Sequence, residues 1–383
     1  MNKNSDPSVN RLAFIDGLRG LAILGVIYHH LFSAFTPPGY EATTIFGVEV
    51  YPYALLSNGW LGVSLFFFLS GFVLYYPYIN QNRQMNSRKS VMDFYFRRAK
   101  RLLPLYYFSI LICAFFMHRT YTDPSFFKHL LMLFTFTNIF TVDQYFPPIN
   151  WVLWSLGIEV WFSLLFPLVI LAIHKLGHHT TLILVIVLSL IVRIIGADEE
   201  YALKGNPYLN PVKDSILGCM DAFVIGMFCC YVCVNNKFGF IRASNAILFV
   251  ILGLGIGFAG CVIWDLIAMK KIATEFSAYV SLVLSLSFML VVVSLYRLNS
   301  MIKWVFSNWP LRVLGMMCFS LYIWHGVLMV AMFSTVRWVF TPTIVIHYYL
   351  VLLCIAALSY RYIEFGSVSD TRKLFGFASR SKS

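Results

Sequence analysis

Asp16-Gly17-Leu18-Arg19-Gly20 opens an apolar run that closes on Tyr28-His29-His30. The run as a whole, residues 18–36, has the ~20 mostly apolar residues that a helix needs to cross a bilayer. Similar runs lie at 59–79, 102–118, 151–174, 179–196, 215–234, 244–265, 276–297, 313–334 and 343–363. The sequence therefore predicts an all-α integral membrane protein with about ten transmembrane helices. A shorter run, His129 to Phe140, sits too close to Trp151 for a separate crossing and reads as a re-entrant or interfacial segment.

Composition agrees. Of 383 residues, 59% are hydrophobic and 12% charged, about half the charge of an ordinary soluble domain. A disordered chain, a secreted disulfide scaffold and a soluble enzyme with one anchor are excluded. The basic residues fix the expected orientation, because cytoplasmic loops are enriched in Lys and Arg. With ten spans and both termini inside, the inner segments hold most of the 29 Lys and Arg. An eleventh crossing at 129–140 would put the later basic loops, and Arg372, Lys373, Arg380 and Lys382 of the tail, on the outer side. The net charge of +12 follows from this bias and carries no expectation of nucleic-acid binding. The first span, preceded by Lys3 and Arg11, is expected to stay in place as a signal anchor. Its cleavage would need a small-residue exit that the stretch lacks.

All eight Cys fall in apolar spans and read as small hydrophobes. That includes Cys229, Cys230 and Cys233, so neither a metal nor a disulfide framework is expected. No P-loop, HExxH, GxSxG or dinucleotide fingerprint is present. Chemistry must come from polar residues inside the membrane, where each one is costly.

Arg19 and His30 are eleven residues apart, about 1100° of helix, so they share one face about 16 Å apart along the axis. That span suits an extended donor with an anionic end at Arg19 and a reactive end at His30. A snorkelling Arg and a packed His read the same positions structurally. Arg98 and Arg101, in Phe94-Tyr95-Phe96-Arg97-Arg98-Ala99-Lys100-Arg101, are i, i+3 and converge at the membrane surface. They suit phosphates, or an ordinary positive-inside loop. In Trp151-Val152-Leu153-Trp154-Ser155-Leu156-Gly157-Ile158-Glu159, Ser155 and Glu159 face together at i, i+4, beside tryptophans able to stack on a sugar. Glu159 reads either as a site carboxylate or as the partner of an Arg on another span. Tyr322 and His325, i, i+3 in Ser320-Leu321-Tyr322-Ile323-Trp324-His325, are supporting hydrogen-bonding groups or packing glue. Arg361 and Glu364 close the last span as a candidate intrahelical pair, and Asp221 lines a cavity or pairs with a cation such as Lys213.

These pieces, in this order, resemble the membrane acyltransferase family 3, whose members include O-acetyltransferases of lipopolysaccharide, capsule and other glycans. The pattern of Arg, ten residues, then His falls on Arg19 and His30, after Asp16-Gly17-Leu18. Phe-Phe-x-Leu-Ser-Gly-Phe falls on Phe66 to Phe72, Arg-x-x-Arg on Arg98 and Arg101, and Trp-Ser-Leu-x-x-Glu on Trp154 to Glu159. Tyr-x-x-His falls on Tyr322 and His325, and Tyr-Arg-x-x-Glu on Tyr360 to Glu364. The likeness covers residues 11–366, making 1–366 one membrane acyltransferase domain and 367–383 a basic cytoplasmic tail. Val160 and Gly157 depart from it, since many members carry a second Glu at the first position and Ser or Ala at the second. With no polar domain after the last span, the sequence resembles the stand-alone members, without a fused hydrolase-like domain.

The resemblance implies O-acetyl transfer from cytoplasmic acetyl-CoA, the acyl-donor co-substrate, to a glycan or glycolipid hydroxyl at the inner membrane of a bacterium. Arg19, Arg98 and Arg101 would hold the donor. His30 would act as general base or carry the acyl group, and Glu159 would position the acceptor or stabilise charge on His30. An imidazole with an ordinary pKa of about 6.5 suits that proton traffic. Asp16, Trp154, Ser155, Tyr322 and His325 would serve the acceptor or support the site, and the loop Gly39 to Asn58 would face the acceptor. A secondary transporter is the rival from another class, and the absence of evident broken helices or duplicated halves argues against it.

Overall fold

In a computed structural model, the described residues are 7–35, 43–45, 48–50, 58–117, 125–142, 144–197, 210–298, 301–333 and 342–364. Helices dominate: α1 (Pro7–Phe35), α2 (Leu61–Ile79), α3 (Arg88–Met117), α4 (Phe126–Phe134), α5 (Leu153–Leu176), α6 (His178–Gly196) and α7 (Ile216–Val234). They continue with α8 (Ala246–Ala268), α9 (Ser277–Arg297), α10 (Met301–Ser307), α11 (Trp309–Met316), α12 (Cys318–Phe333) and α13 (Pro342–Ser359), which ends in a π turn, Tyr360–Glu364. Between α1 and α2, strands β1 (Thr43–Ile45) and β2 (Val48–Val50) pair antiparallel with Ile45 opposite Val48, a hairpin where a plain loop was expected. Most of the Gly39 to Asn58 segment, and the tail 367–383, lie outside the described residues.

Among the described residues, nine helices are long and apolar enough to cross a membrane, or ten when α11 and α12 count as one span. This is a multi-pass membrane protein. The ninth predicted span differs from expectation in being broken, with a 71° bend between α11 and α12. The hydropathy of 313–334 runs through that bend, so an argument from unbroken helices does not hold for this chain. The third span also begins earlier than its apolar core. Arg97, Arg98 and Arg101 extend the same helix as the apolar core and are not loop residues.

The central element is α7, 83% buried, whereas α6 is only 22% buried. Leu184, Leu188, Ile191 and Ile195 of α6 are exposed, as are Leu248, Ile251 and Leu252 of α8. An apolar shell of this kind faces lipid. Helices α2 and α7 cross backbone to backbone, since a Cβ at Gly71 would run into the Phe223 carbonyl and one at Gly226 into that of Phe68. Phe223 then stacks on Phe162 of α5, ring centres 3.9 Å apart. The same device joins α1 to α11, where Gly20 meets the Leu311 carbonyl and Gly315 that of Asp16. Gly177, at φ 82°, makes the sharp turn that folds α6 back on α5.

Helix α4 has nine residues, about 14 Å, far short of a ~30 Å hydrocarbon core. Its terminal carbonyls need partners away from water. Tyr106 Oη donates to Leu133 O at 2.9 Å, Tyr107 Oη to Phe134 O at 3.0 Å, and Trp161 Nε1 to Phe136 O at 2.9 Å. The 3₁₀ turn that follows brings Ile139 to Gly157, where a Cβ would approach its Cγ2 to 2.8 Å. That contact accounts for glycine at a position where Ser or Ala was expected from the resemblance.

Candidate active site

The early start of α3 matters here, because i, i+3 residues on a helix point about 60° apart. Arg98 turns to α5, donating from Nη2 to Glu159 Oε1 at 2.9 Å and from Nε to Ser163 Oγ at 3.2 Å. Ser70 Oγ of α2 adds a 3.2 Å bond to the same Glu159 oxygen. Glu159 is thus bound to an Arg of another span, the structural alternative left open above. Arg101 lines a narrow cavity inside the bundle.

That cavity is lined by Arg19, Val63, Phe66, Phe67, Ser70, Arg101, Leu102, Ser155, Leu156, Glu159, Cys318, Phe319 and Tyr322. It collects residues from α1, α2, α3, α5 and α12, and the bend before Cys318 is what turns the first residues of α12 into it. Arg19 Nε is buried without a hydrogen-bond partner. Among the described residues Arg19 and Arg101 form no ion pair within 4 Å. Glu159 is already bound by Arg98, and Asp16 and Glu364 act on Arg19 and Arg101 through space without such an ion pair, so both guanidinium groups keep hydrogen-bonding capacity for a ligand. Asp16 stands one turn before Arg19 at the α1–α11 crossing and contributes its carbonyl to that contact. Ser320 of α12 donates to Glu364 Oε2 at 3.0 Å, while the other Glu364 oxygen is buried without a partner. The final Tyr-Arg-x-x-Glu segment is therefore anchored across helices.

At the far end of the cavity Ser155 Oγ and Tyr322 Oη are 2.7 Å apart, both buried. Neither His30 nor His325 lines the cavity. The imidazoles stand beyond the hydroxyl pair: the ring centre of His325 is 5.2 Å from that of Tyr322 and 5.4 Å from that of His30. Trp151 packs its edge against His30, with ring centres 4.3 Å apart. The His29 ring stands edge-on to that of His30, centres 5.0 Å apart, with its Cβ against Gly59. Because Glu159 lies one turn below Ser155, about 6 Å farther from the imidazoles along α5, it stands at the guanidinium end. Its charge is held by Arg98 rather than delivered to His30.

One expected ligand of the acceptor differs. Trp154 is 8% exposed, enclosed by Tyr145 and Phe146 with ring centres 5.4 and 6.1 Å away, so no face is open to a sugar. Trp151, quoted in the sequence but given no separate role, is the tryptophan at the imidazoles. Ser70 was missed because a serine in a Phe-rich helix reads as packing. Asp221 is bound by Arg193, Nη1–Oδ1 2.9 Å and Nη2–Oδ2 2.6 Å, and not by Lys213, whose ammonium lies over the Trp264 ring at 4.9 Å. This pair is far from the cavity and ties α6 to α7.

A bundle of spanning helices that brings intramembrane arginines and imidazoles together defines a multi-pass membrane protein with a polar candidate site inside the bundle. The chain belongs to the family described as the acyltransferase domain, whose model matches residues 12–361. It is 25% identical to the O-acetyltransferase OatA of Staphylococcus aureus (strain MRSA252), over 96% of this chain and 59% of that protein. It is also 26% identical to the peptidoglycan O-acetyltransferase OatA of Listeria monocytogenes, over 81% of this chain and 48% of that protein. The chain spans about half to three-fifths of the length of these relatives. No solved structure matches it. The family implies an acyl donor, and membership in it, not helix continuity, decides against the transporter.

Proposed function

We propose that the chain moves an acetyl group from acetyl-CoA to a hydroxyl of a cell-envelope glycan or glycolipid, in the inner membrane of a bacterium with both termini cytoplasmic. The carrying observation is that a single helix, α1, supplies Arg19 to the cavity and His30 to the imidazole pair. The donor's phosphates bind at Arg19 and Arg101, while Arg98 holds Glu159 in place beside them. The thioester then reaches past Ser155 and Tyr322 to His30. There His30 takes the proton of the acceptor hydroxyl as the new C–O bond forms, and returns it to the departing CoA thiolate. The name of the Listeria relative, a peptidoglycan O-acetyltransferase, favours a wall or surface glycan as the acceptor.

The test is mass spectrometry of surface glycans from cells expressing the wild-type chain or an equally abundant His30→Ala variant. One added acetyl per repeat that disappears in the variant is the expected result. Equal acetylation in both removes His30 from the chemistry. No acetyl change with either chain turns the search to a small-molecule acceptor.

A further inference from the structure

His325 is 0% exposed, and a backbone hydrogen bond of its ring determines its chemistry. Its Nδ1 lies 2.6 Å from the Tyr322 carbonyl oxygen. A carbonyl only accepts, so Nδ1 carries the proton and Nε2 keeps the lone pair. That Nε2 is buried with no partner among the described residues. Burying a polar atom unsatisfied costs about 1–3 kcal/mol, and the surrounding turn is nevertheless held firmly. Tyr348 Oη donates to the His325 carbonyl at 3.0 Å and Asn150 Nδ2 to that of Ile323 at 3.1 Å. Gly326 follows, with Asn150 Oδ1 only 3.1 Å from where its Cβ would be.

The neighbour able to use that lone pair is His30. The two rings are inclined by only 21° with centres 5.4 Å apart. The rings are near-parallel and offset from one another. Two imidazoles sharing an N–H···N bond edge to edge have centres about 5 Å apart, the sum of a ~2.9 Å bond and ~1.1 Å from each centre to its nitrogen. The 5.4 Å separation thus leaves the two rings within reach of such a bond once His30 turns its edge toward His325.

We infer that His325 is the positioning residue of the reaction: in the reacting state its Nε2 accepts the N–H of His30, which fixes the His30 tautomer and leaves the other His30 nitrogen as the base. This rests on the acyl-transfer reading above. The acceptor's proton goes to the outer nitrogen of His30 as its oxygen bonds to the acyl carbon and the C–S bond breaks. The thiolate then takes that proton, giving CoA thiol and neutral His30. His325 gains and loses nothing. It supplies orientation, as the third group does in any base that is held by a neighbour.

The test uses membrane vesicles from expressing cells, with [14C]acetyl-CoA as donor and the vesicles' own glycan as acceptor. His325→Asn can keep the donor to the Tyr322 carbonyl but removes the acceptor at Nε2. His325→Gln can place a carbonyl oxygen close to Nε2. The Asn variant is expected to lose about 100-fold in kcat or more, with KM for acetyl-CoA within about twofold to threefold, and the Gln variant to recover at least tenfold of that loss. An Asn variant with wild-type kcat, or a Gln variant weaker than Asn, overturns the inference while acyl transfer stands. Wild-type vesicles that incorporate no acetyl overturn acyl transfer itself. Histidine 15N shifts of the full wild-type chain with CoA bound decide the pairing without any variant. A bonded His325 Nε2 supports it, and a free one overturns it.

Discussion

Arg98 and Glu159 meet at 2.9 Å inside the bundle, 12% and 17% exposed, with Ser70 on the same carboxylate oxygen. An ion pair this buried is worth little more than its apolar replacement, but half of it left alone is an uncompensated charge. Arg98→Ala and Glu159→Ala are each expected to cost about 3–5 kcal/mol of stability. The Arg98→Ala/Glu159→Ala double variant should cost clearly less than the sum. Thermal unfolding of the purified chain in detergent measures the cycle, and strictly additive losses would show that the two do not act as a pair.

Arg101 makes a contrasting case, since it lines the cavity and forms no ion pair among the described residues. Its loss should therefore leave stability almost unchanged. A charged hydrogen bond to phosphate is worth about 1.5–3 kcal/mol, so Arg101→Ala should raise KM for acetyl-CoA by about 10- to 100-fold. Arg19→Ala should do the same. Initial rates across a donor series, read beside melting temperatures, separate the effects. A fall in stability with unchanged KM would return both arginines to a structural role.

The split between Arg98 and Arg101 marks where sequence reading succeeds and where it stops. Helical period alone puts Arg19 and His30 on one face and reads Arg98 and Arg101, i, i+3, as one converging basic patch, because those relations lie within one helix. It does not say which helix stands opposite. The partners of Glu159 and Asp221 come from other spans, and nothing in a single sequence brings Arg98 or Arg193 to them. Helix boundaries fail for a related reason: residues 88–101 are too charged to look like part of a span, yet helical hydrogen bonding continues through them. At the bend before Cys318 no proline interrupts the apolar run, so hydropathy reads one helix where the chain makes two. The orphaned Nε2 of His325 is a fact of burial and tautomer, invisible to any pattern.

Asp214 offers a test by pH. It lies before α7, outside the spans, and its Oδ2 accepts from the Asn210 N–H at 2.9 Å. Burial pushes its carboxyl above the ordinary value, against the opposing pull of Lys213. A raised acid favours the folded state while protonated, and that contribution is lost as pH rises through the raised value. Asp214→Asn keeps an oxygen acceptor and never ionises. It should match wild type in acid, then become the more stable chain as pH rises toward neutrality, with a constant difference above that. Melting curves from pH 4 to 8 check this. A difference that shrinks as pH rises would mean that the carboxylate is stabilised by its surroundings.

Arg193 and Asp221 form the deepest pair in the described structure, 2% and 0% exposed, and their bidentate contact lies away from the cavity. Ser189 adds to the same junction, its Oγ donating to Leu217 O at 2.7 Å and accepting from the Asp221 N–H at 3.2 Å. The group ties α6, mostly lipid-facing, to the central α7. Without it α6 has few buried side chains to hold it, so Arg193→Ala should cost about 3–5 kcal/mol by leaving Asp221 charged and alone. Replacing both, Arg193→Met with Asp221→Leu, removes two buried charges together and should restore stability to within about 1 kcal/mol of wild type, or exceed it. In that double variant KM for acetyl-CoA and kcat should stay at wild-type values, because neither residue touches the cavity or the imidazoles. A stable double variant that has lost turnover would place the α6–α7 junction in the reaction and give this pair a second role.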